Sequence, residues 1–389
     1  MNRVLALLTL LWVLHASWQA AWATPSATAM LTRACQFLWD KQSDDGGWHS
    51  ETHGLLHSGQ AWTPFILWHL LQAPESACGK PPTHVERALH FLHQHLTADG
   101  VLGLADPDLV EYPNYATAYA LRVLTRYGRD TDKPWIEKMK NYLLAQQFDQ
   151  QRGIGPDHLA YGSWGFGEQH LALGMTGHVD LSHTRRVLQA LRDAGHTTPA
   201  TYTKATAFLR LLQRHPSETR PQPGVASHAP GQVYYDGGFY FSPVVLGANK
   251  AQQDQGSAGT QPFFRSYATA TCDGVLALLA TGATPDDEPV QAAMRWLQAH
   301  PSIDHPQGIP EEDPEQWHKV LLYYHLSVRA EAYRVLHWPG PWRQAFTELL
   351  AQQQRPDGSF VNPAGTPNKE DDPLLATALA VDALTQTLW

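Results

Sequence analysis

Residues 33–48 read RACQFLWDKQSDDGGW. In the first ten, Ala34, Phe37 and Leu38 share one face at helical spacing, so a helix is expected there. Asp44-Asp45-Gly46-Gly47 ends it with turn residues, and Trp48 returns as an apolar plug. The elements of the pattern are a basic residue, a small residue, an aromatic-Leu pair, Gln four residues on, and Gly-x-aromatic. They recur, degraded, down the chain, which makes a repeat array the first expectation.

Working outward, the founding helix pairs with an apolar helix over 62–71. A second unit has Arg87-Ala88, Phe91-Leu92 and Gly100, with Leu96 for the Gln and Leu102 for the Trp; its partner helix is 114–124. The third has Lys138, Tyr142-Leu143 and Gln147, then an insertion carrying YGSWGFGEQ, then a helix over 180–191. The fourth has Lys204-Ala205, Phe208-Leu209 and Gln213, a delayed Asp236-Gly237-Gly238-Phe239, a polar insertion at 250–261 and a helix over 267–279. The fifth has Ala292, Trp296-Leu297 and Gly308 before a helix over 319–336. The sixth has Leu349-Leu350, Gln354, Gly358 and Phe360 before 374–384. One helix of each pair is amphipathic. Several partners, such as 374–384, are apolar nearly all round, as buried helices are. Six hairpins closed into a ring satisfy both, because closure leaves no naked end. The inner helices would then begin at one face, beside the long loops, where ligand chemistry is expected.

Composition agrees with a large core or an apolar cavity. Of 389 residues, 17% are charged, below the usual quarter, and 10% are aromatic. The net charge of −9 and the lack of a basic stripe argue against nucleic acid. Residues 1–23 read as a cleavable leader. Arg3 is the basic start, Val4 to Leu14 the apolar run, and Ala21-Trp22-Ala23 the A-x-A signal before Thr24. An exported, periplasmic protein is expected, with residues 24–389 as one domain and no transmembrane segment in the mature chain. Export permits disulfides. Cys35 and Cys78 could pair or stay as buried thiols, and Cys272 is left over.

Residues 33–48 match every defined position of the QW motif of squalene and oxidosqualene cyclases. The repeats resemble the squalene cyclase and prenyltransferase β-subunit superfamily, and most of all its exported bacterial members. YGSWGFGE, DLSHT, DGGFYFSP, RSYATAT and RPDGSF carry this likeness. The resemblance implies an all-α, α/α-toroid fold with six inner and six outer helices. Its implied partner is an apolar small molecule, an isoprenoid-like lipid in a central aromatic cavity. No cofactor is expected.

Class II terpene cyclases place DxDDT at an inner-helix start and protonate an alkene with the middle Asp. Here the matching stretch is Asp180-Leu181-Ser182-His183-Thr184, and Ser182 stands where the acid should be. Asp180 and Ser182 then read as helix caps. Asp180, Asp273 and Asp372 are the candidate catalytic acids. Asp372 precedes Pro373 and can equally cap a helix, whereas Asp273 sits inside an apolar helix and needs a partner. Zinc, as in protein prenyltransferases, finds only Cys272, His318 and His325 as ligand candidates, short of the converging set zinc wants. Phe166-Gly167-Glu168-Gln169 lacks the Cys of a thioester. Glu311, Glu312 and Glu315 read as a solvated charge run. Trp62, Tyr115, Trp164, Phe166, Phe239, Tyr267, Tyr324 and His325 are the candidate ligand contacts, since aromatic faces stabilise cations or grip lipid. Three functions stay open: an isoprenoid-binding or isoprenoid-processing toroid (a cyclase-like isomerase or lyase, or a transferase, if an enzyme), a non-catalytic lipid-binding or protein-interaction toroid, and a periplasmic glycan hydrolase or lyase, which needs two facing carboxylates.

Overall fold

The computed structural model describes residues 25–105, 110–220, 234–254 and 263–389. The expected leader lies outside them, as does most of the insertion at 250–261. Thirteen α-helices carry the fold among the described residues: α1 (Ala27–Asp40), α2 (Trp62–Gln72), α3 (Pro82–His95), α4 (Pro113–Tyr127), α5 (Lys133–Ala145), α6 (Leu181–Asp193), α7 (Pro199–Leu212), α8 (Ala268–Thr281), α9 (Glu288–Ala299), the single turn α10 (Trp317–Val320), α11 (Leu322–Val335), α12 (Trp342–Gln353) and α13 (Pro373–Leu388). The strands Gln253–Asp254 and Phe263–Phe264 form one small antiparallel pair. No described helix is long and apolar enough to cross a membrane.

Helices α2, α4, α6, α8, α11 and α13 pack each on the next, and α13 packs back on α2. The arrangement is therefore closed. Outside this ring α3 lies on α2, α5 on α4, α9 on α8 and α12 on α13, while α7 touches both α6 and α8. The sequence dictates the two layers. In α8 every residue from Ala268 to Leu278 is buried, whereas α5 buries only Met139 and Leu143. Proline in the first turn starts α3, α4, α5, α7, α9 and α13, where no backbone N–H is wanted. The fifth unit departs from the expected single helix. Its chain breaks at Leu321, between α10 and α11.

The repeated Gln is a seam. A side-chain amide nitrogen carries two protons, and both are used. Gln42 donates one to its own turn at the Gly46 carbonyl (2.9 Å) and one across to His84 in the first turn of α3 (2.9 Å). Gln147 does the same to Gly162 and Thr201, and Gln213 to Gly237 and Pro289. Gln354 donates to Gly358 and to Met30 in α1, joining the last unit to the first. At the fifth seam Pro301 stands in the Gln position. Arg329 of α11 reaches the carbonyls of His300 and Ser302 instead.

In five of the six units a threonine locks the plug residue to its inner helix. The backbone N–H groups of Trp48, Leu102, Trp164, Phe239 and Phe360 donate to the hydroxyls of Thr63, Thr117, Thr184, Thr271 and Thr377 at 2.9–3.1 Å. This repeated threonine is absent from the pattern drawn from residues 33–48, and it ties outer-unit turns to the ring wall.

Cys35 of α1 is bonded to Cys78, in the loop after α2, across 43 residues of chain. Closing such a loop restricts the unfolded chain. The double variant Cys35→Ser/Cys78→Ser is expected to lose about 2–4 kcal/mol of stability. A urea midpoint unchanged by the double substitution would show that the bond contributes nothing.

Candidate functional site

A cavity of about 270 Å³ opens where the inner helices begin. Its wall takes Trp62 from α2, Tyr115 from α4, Tyr324 from α11 and Leu375 and Leu379 from α13. The loops add Phe166, Phe241 and Tyr267, and α10 adds Trp317. The YGSWGFGEQ insertion is a glycine-rich turn bridged to Val179, and it lays Phe166 flat on His178 at 3.8 Å. Burial pushes the phenols of Tyr115, Tyr267 and Tyr324 well up, so they are neutral hydroxyls at any ordinary pH.

One carboxylate faces this space among the described lining residues. Asp180 is the N-cap of α6, accepting from the His183 backbone N–H at 2.8 Å. Its oxygens also take His178 Nε2 (3.0 Å), His183 Nδ1 (2.9 Å) and the Ser182 hydroxyl (3.0 Å). Burial raises the Asp180 carboxyl. The neighbouring charge of His183 and the hydrogen bonds from both histidines outweigh it, holding the group well below the usual carboxylate range. Asp180 is thus an anion, the reverse of what alkene protonation needs.

The mouth and floor are cationic. Lys250 Nζ stands 3.6 Å from the Trp317 ring centroid, and Lys369 Nζ 5.7 Å from that of Tyr112. Burial holds Lys250 below its usual range, against the pull of Glu315, Asp180 and Asp313. At the floor Arg186 is 6% exposed, and its guanidinium sits 5.1–5.4 Å from the rings of Tyr115, Tyr119 and Tyr324. The hollow does not run through the ring. Beyond Arg186 lies a smaller polar space of about 70 Å³ edged by His69, Gln189, Glu331 and Asp382.

Beside the floor, Arg185 ties three inner helices together. From α6 its Nε lies 2.8 Å from Asp273 of α8, and its Nη1 2.8 Å from Glu331 of α11. Tyr324 donates its hydroxyl to the other Asp273 oxygen at 2.8 Å. Burial pushes Asp273 up, opposed by Arg185, Arg186 and Tyr324. Tyr324 is also fixed through its backbone: Glu370 accepts the N–H groups of Tyr323 and Tyr324 at 2.9 Å each, capping α11.

The structure sorts the residues picked from sequence. Asp180, Trp62, Tyr115, Phe166, Tyr267 and Tyr324 line the cavity. Trp164 does not: it is fully buried, and its indole N–H donates to the Leu143 carbonyl at 2.7 Å, as Trp48 does to Leu38. Phe239 is the corresponding plug of its unit and packs face-on over Gly274. His325 is also fully buried, with Thr269 at 3.1 Å, and burial and the Arg329 charge hold it neutral. Asp372 caps α13, accepting from Leu374 N–H at 2.9 Å and the Ser50 hydroxyl at 2.7 Å, and does not line the cavity. Asp273 is sealed behind Tyr324. Cys272 is buried, its thiol pushed up to about 12 by that burial, and among the described residues no group of three or more His, Cys, Asp and Glu that includes Cys272, His318 or His325 could hold a metal. Arg186, Lys250, Lys369, His178 and His183 are site residues the sequence reading passed over.

Solved structures share this architecture. The type II terpene cyclase MstE from Scytonema superposes in its apo form with a TM-score of 0.54 at 13% identity, covering 93% of this chain and 98% of that one. A variant of it in complex with geranylgeranyl dihydroxybenzoate, its substrate, gives 0.51 at 13% identity, covering 93% and 97%. At such identity the likeness is one of fold. No protein-family model and no curated protein matches the chain.

Proposed function

We propose that this chain is a six-hairpin α/α toroid that binds an isoprenoid-like or similarly apolar molecule in its aromatic cavity, without alkene protonation. The observation that carries the reading is the wall of Trp62, Tyr115, Phe166, Tyr267 and Tyr324 gathered at the inner-helix starts. Concave, mostly apolar space with a few placed polar groups is what small-molecule sites look like. Two features argue against cyclase chemistry. The one lining carboxylate among the described residues is an anion held by two histidines. The tyrosine faces that could steady a carbocation already surround the guanidinium of Arg186. A glycosidase reading lacks its second lining carboxylate among the described residues. The Cys35–Cys78 bond supports action in an oxidising compartment, in keeping with export.

Trp62 and Trp317 line the cavity, so intrinsic fluorescence reports on it. Titration with farnesol is expected to give a saturable change in emission with one site per chain. A flat or non-saturating response would remove the basis for the reading.

A further inference from the structure

We propose that the cavity's ligand carries a carboxylate and that Arg186 receives it at the floor. This rests on the apolar-ligand reading above and adds a charge and an orientation to it. Arg186 lies six residues into α6 from the cap Asp180, about 9 Å below the helix start at 1.5 Å per residue. It is 6% exposed and borders the cavity. A guanidinium has five N–H donors. Among the described residues Arg186 makes one hydrogen bond, from Nη1 to the Tyr119 hydroxyl at 2.7 Å, and no carboxylate of theirs lies within ion-pair distance.

Other buried arginines show how unusual this is. Arg185 spends its charge on Asp273 and Glu331. Arg214 pairs with Asp236. Arg329, which also has no carboxylate partner among the described residues, gives its protons to the carbonyls of His300 and Ser302 and to the Tyr333 hydroxyl. Arg186 alone of these keeps unspent donors beside an open space. Asp273 is the acid whose charge reaches Arg186, but it is in direct contact with Arg185, so a ligand anion would give Arg186 the contacting counter-ion that a buried cation calls for.

The surroundings favour the same sign. Three cations border the cavity, Arg186, Lys250 and Lys369, and among the described residues none has a carboxylate within 4 Å, whereas the oxygens of Asp180 are already hydrogen-bonded to His178 and His183. A flat carboxylate matches the fork of a guanidinium with two parallel hydrogen bonds. The aromatic wall above Arg186 would hold the apolar body, with its far end toward the mouth. A diphosphate is bulkier and would meet Lys250 and Lys369 first.

The test compares three probes with one tail: farnesoic acid, farnesol and farnesyl diphosphate, titrated into the full chain at neutral pH. Farnesoic acid is expected to bind tighter than farnesol by about tenfold or more, as a charge-assisted hydrogen bond allows. Arg186→Met should abolish that preference and leave farnesol binding in place, whereas Lys250→Met/Lys369→Met should retain it. Circular dichroism melting checks that each variant folds. Should Arg186→Met not fold, the comparison on the unaltered chain still decides. Equal binding of acid and alcohol overturns the inference and leaves the cavity reading intact. Tighter binding of the diphosphate than of the acid puts the anion at the mouth and overturns it too, as does loss of the acid preference in the lysine variant. If no probe binds, the cavity reading falls and the inference with it.

Discussion

Gly162→Ala is expected to yield no stably folded protein. Gly162 sits at φ +88°, a backbone conformation that favours glycine, and a Cβ there would stand 1.9 Å from the carbonyl oxygen of Lys204 in α7. Neither partner can yield, because both are backbone. The contact recurs around the ring: Gly46 meets Arg87, Gly237 meets Ala292, and Gly358 meets Arg33. Each glycine lets one outer unit press its turn onto the next outer helix while the neighbouring Gln amide bonds across. The cost should exceed about 4 kcal/mol, the range reserved for a named packing failure. Gly155→Ala is the control, since nothing lies within 4 Å of its added Cβ and its φ is not positive. It should stay within about 0.5 kcal/mol of the parent in urea denaturation. Near-parent stability for Gly162→Ala would mean that the seam is not close-packed.

Arg185→Met should cost about 3–5 kcal/mol, the usual loss when one partner of a buried ion pair is removed. The side chains of Arg185 and Asp273 are 2% and 0% exposed, so the remaining carboxylate would have no water to turn to. Tyr324 would still donate to it, and Glu331, at 19% exposed, would keep Gln189 and some solvent. The double variant Arg185→Met/Asp273→Leu should recover most of the loss, because an apolar pair leaves no unpaired charge. A double-mutant cycle read by chemical denaturation measures this. If the double variant is no more stable than Arg185→Met, the pair does not interact as the geometry implies.

Much of the fold was legible because it is written in small, repeated chemistry. Gln42, Gly46 and Trp48 each have one job, and Gln147, Gly162 and Trp164 do the same jobs over again. The inner helices showed themselves by being apolar all round. The cavity's aromatic wall was half legible. Tyr115, Tyr267 and Tyr324 were found because they lie at inner-helix starts. Trp164 and Phe239 lie at the same end of the ring but occupy the plug position of the repeat. Holding them strictly to the register of Trp48 would have assigned them to the core. Arg186 also left a signal. Two arginines in DLSHTRRVLQAL, on a helix whose place in the ring is buried, must both find partners, and the sequence offers only one acid on the neighbouring inner helix, Asp273. Lys250 and Lys369 left none, since loops carry them and only the closed ring aims them at one mouth. Tertiary folding, not local pattern, decides which loop residues face a cavity.

The central claim is a closed ring whose hollow, floored by Arg186 and walled by aromatic rings, holds an apolar molecule. A crystal structure of the protein grown with farnesoic acid tests it most directly. The account predicts electron density for the tail against Tyr115, Phe166 and Tyr324, with the carboxylate on the Arg186 guanidinium. Density for the probe only on the outer surface, with side chains filling the space between α2 and α8, would contradict it.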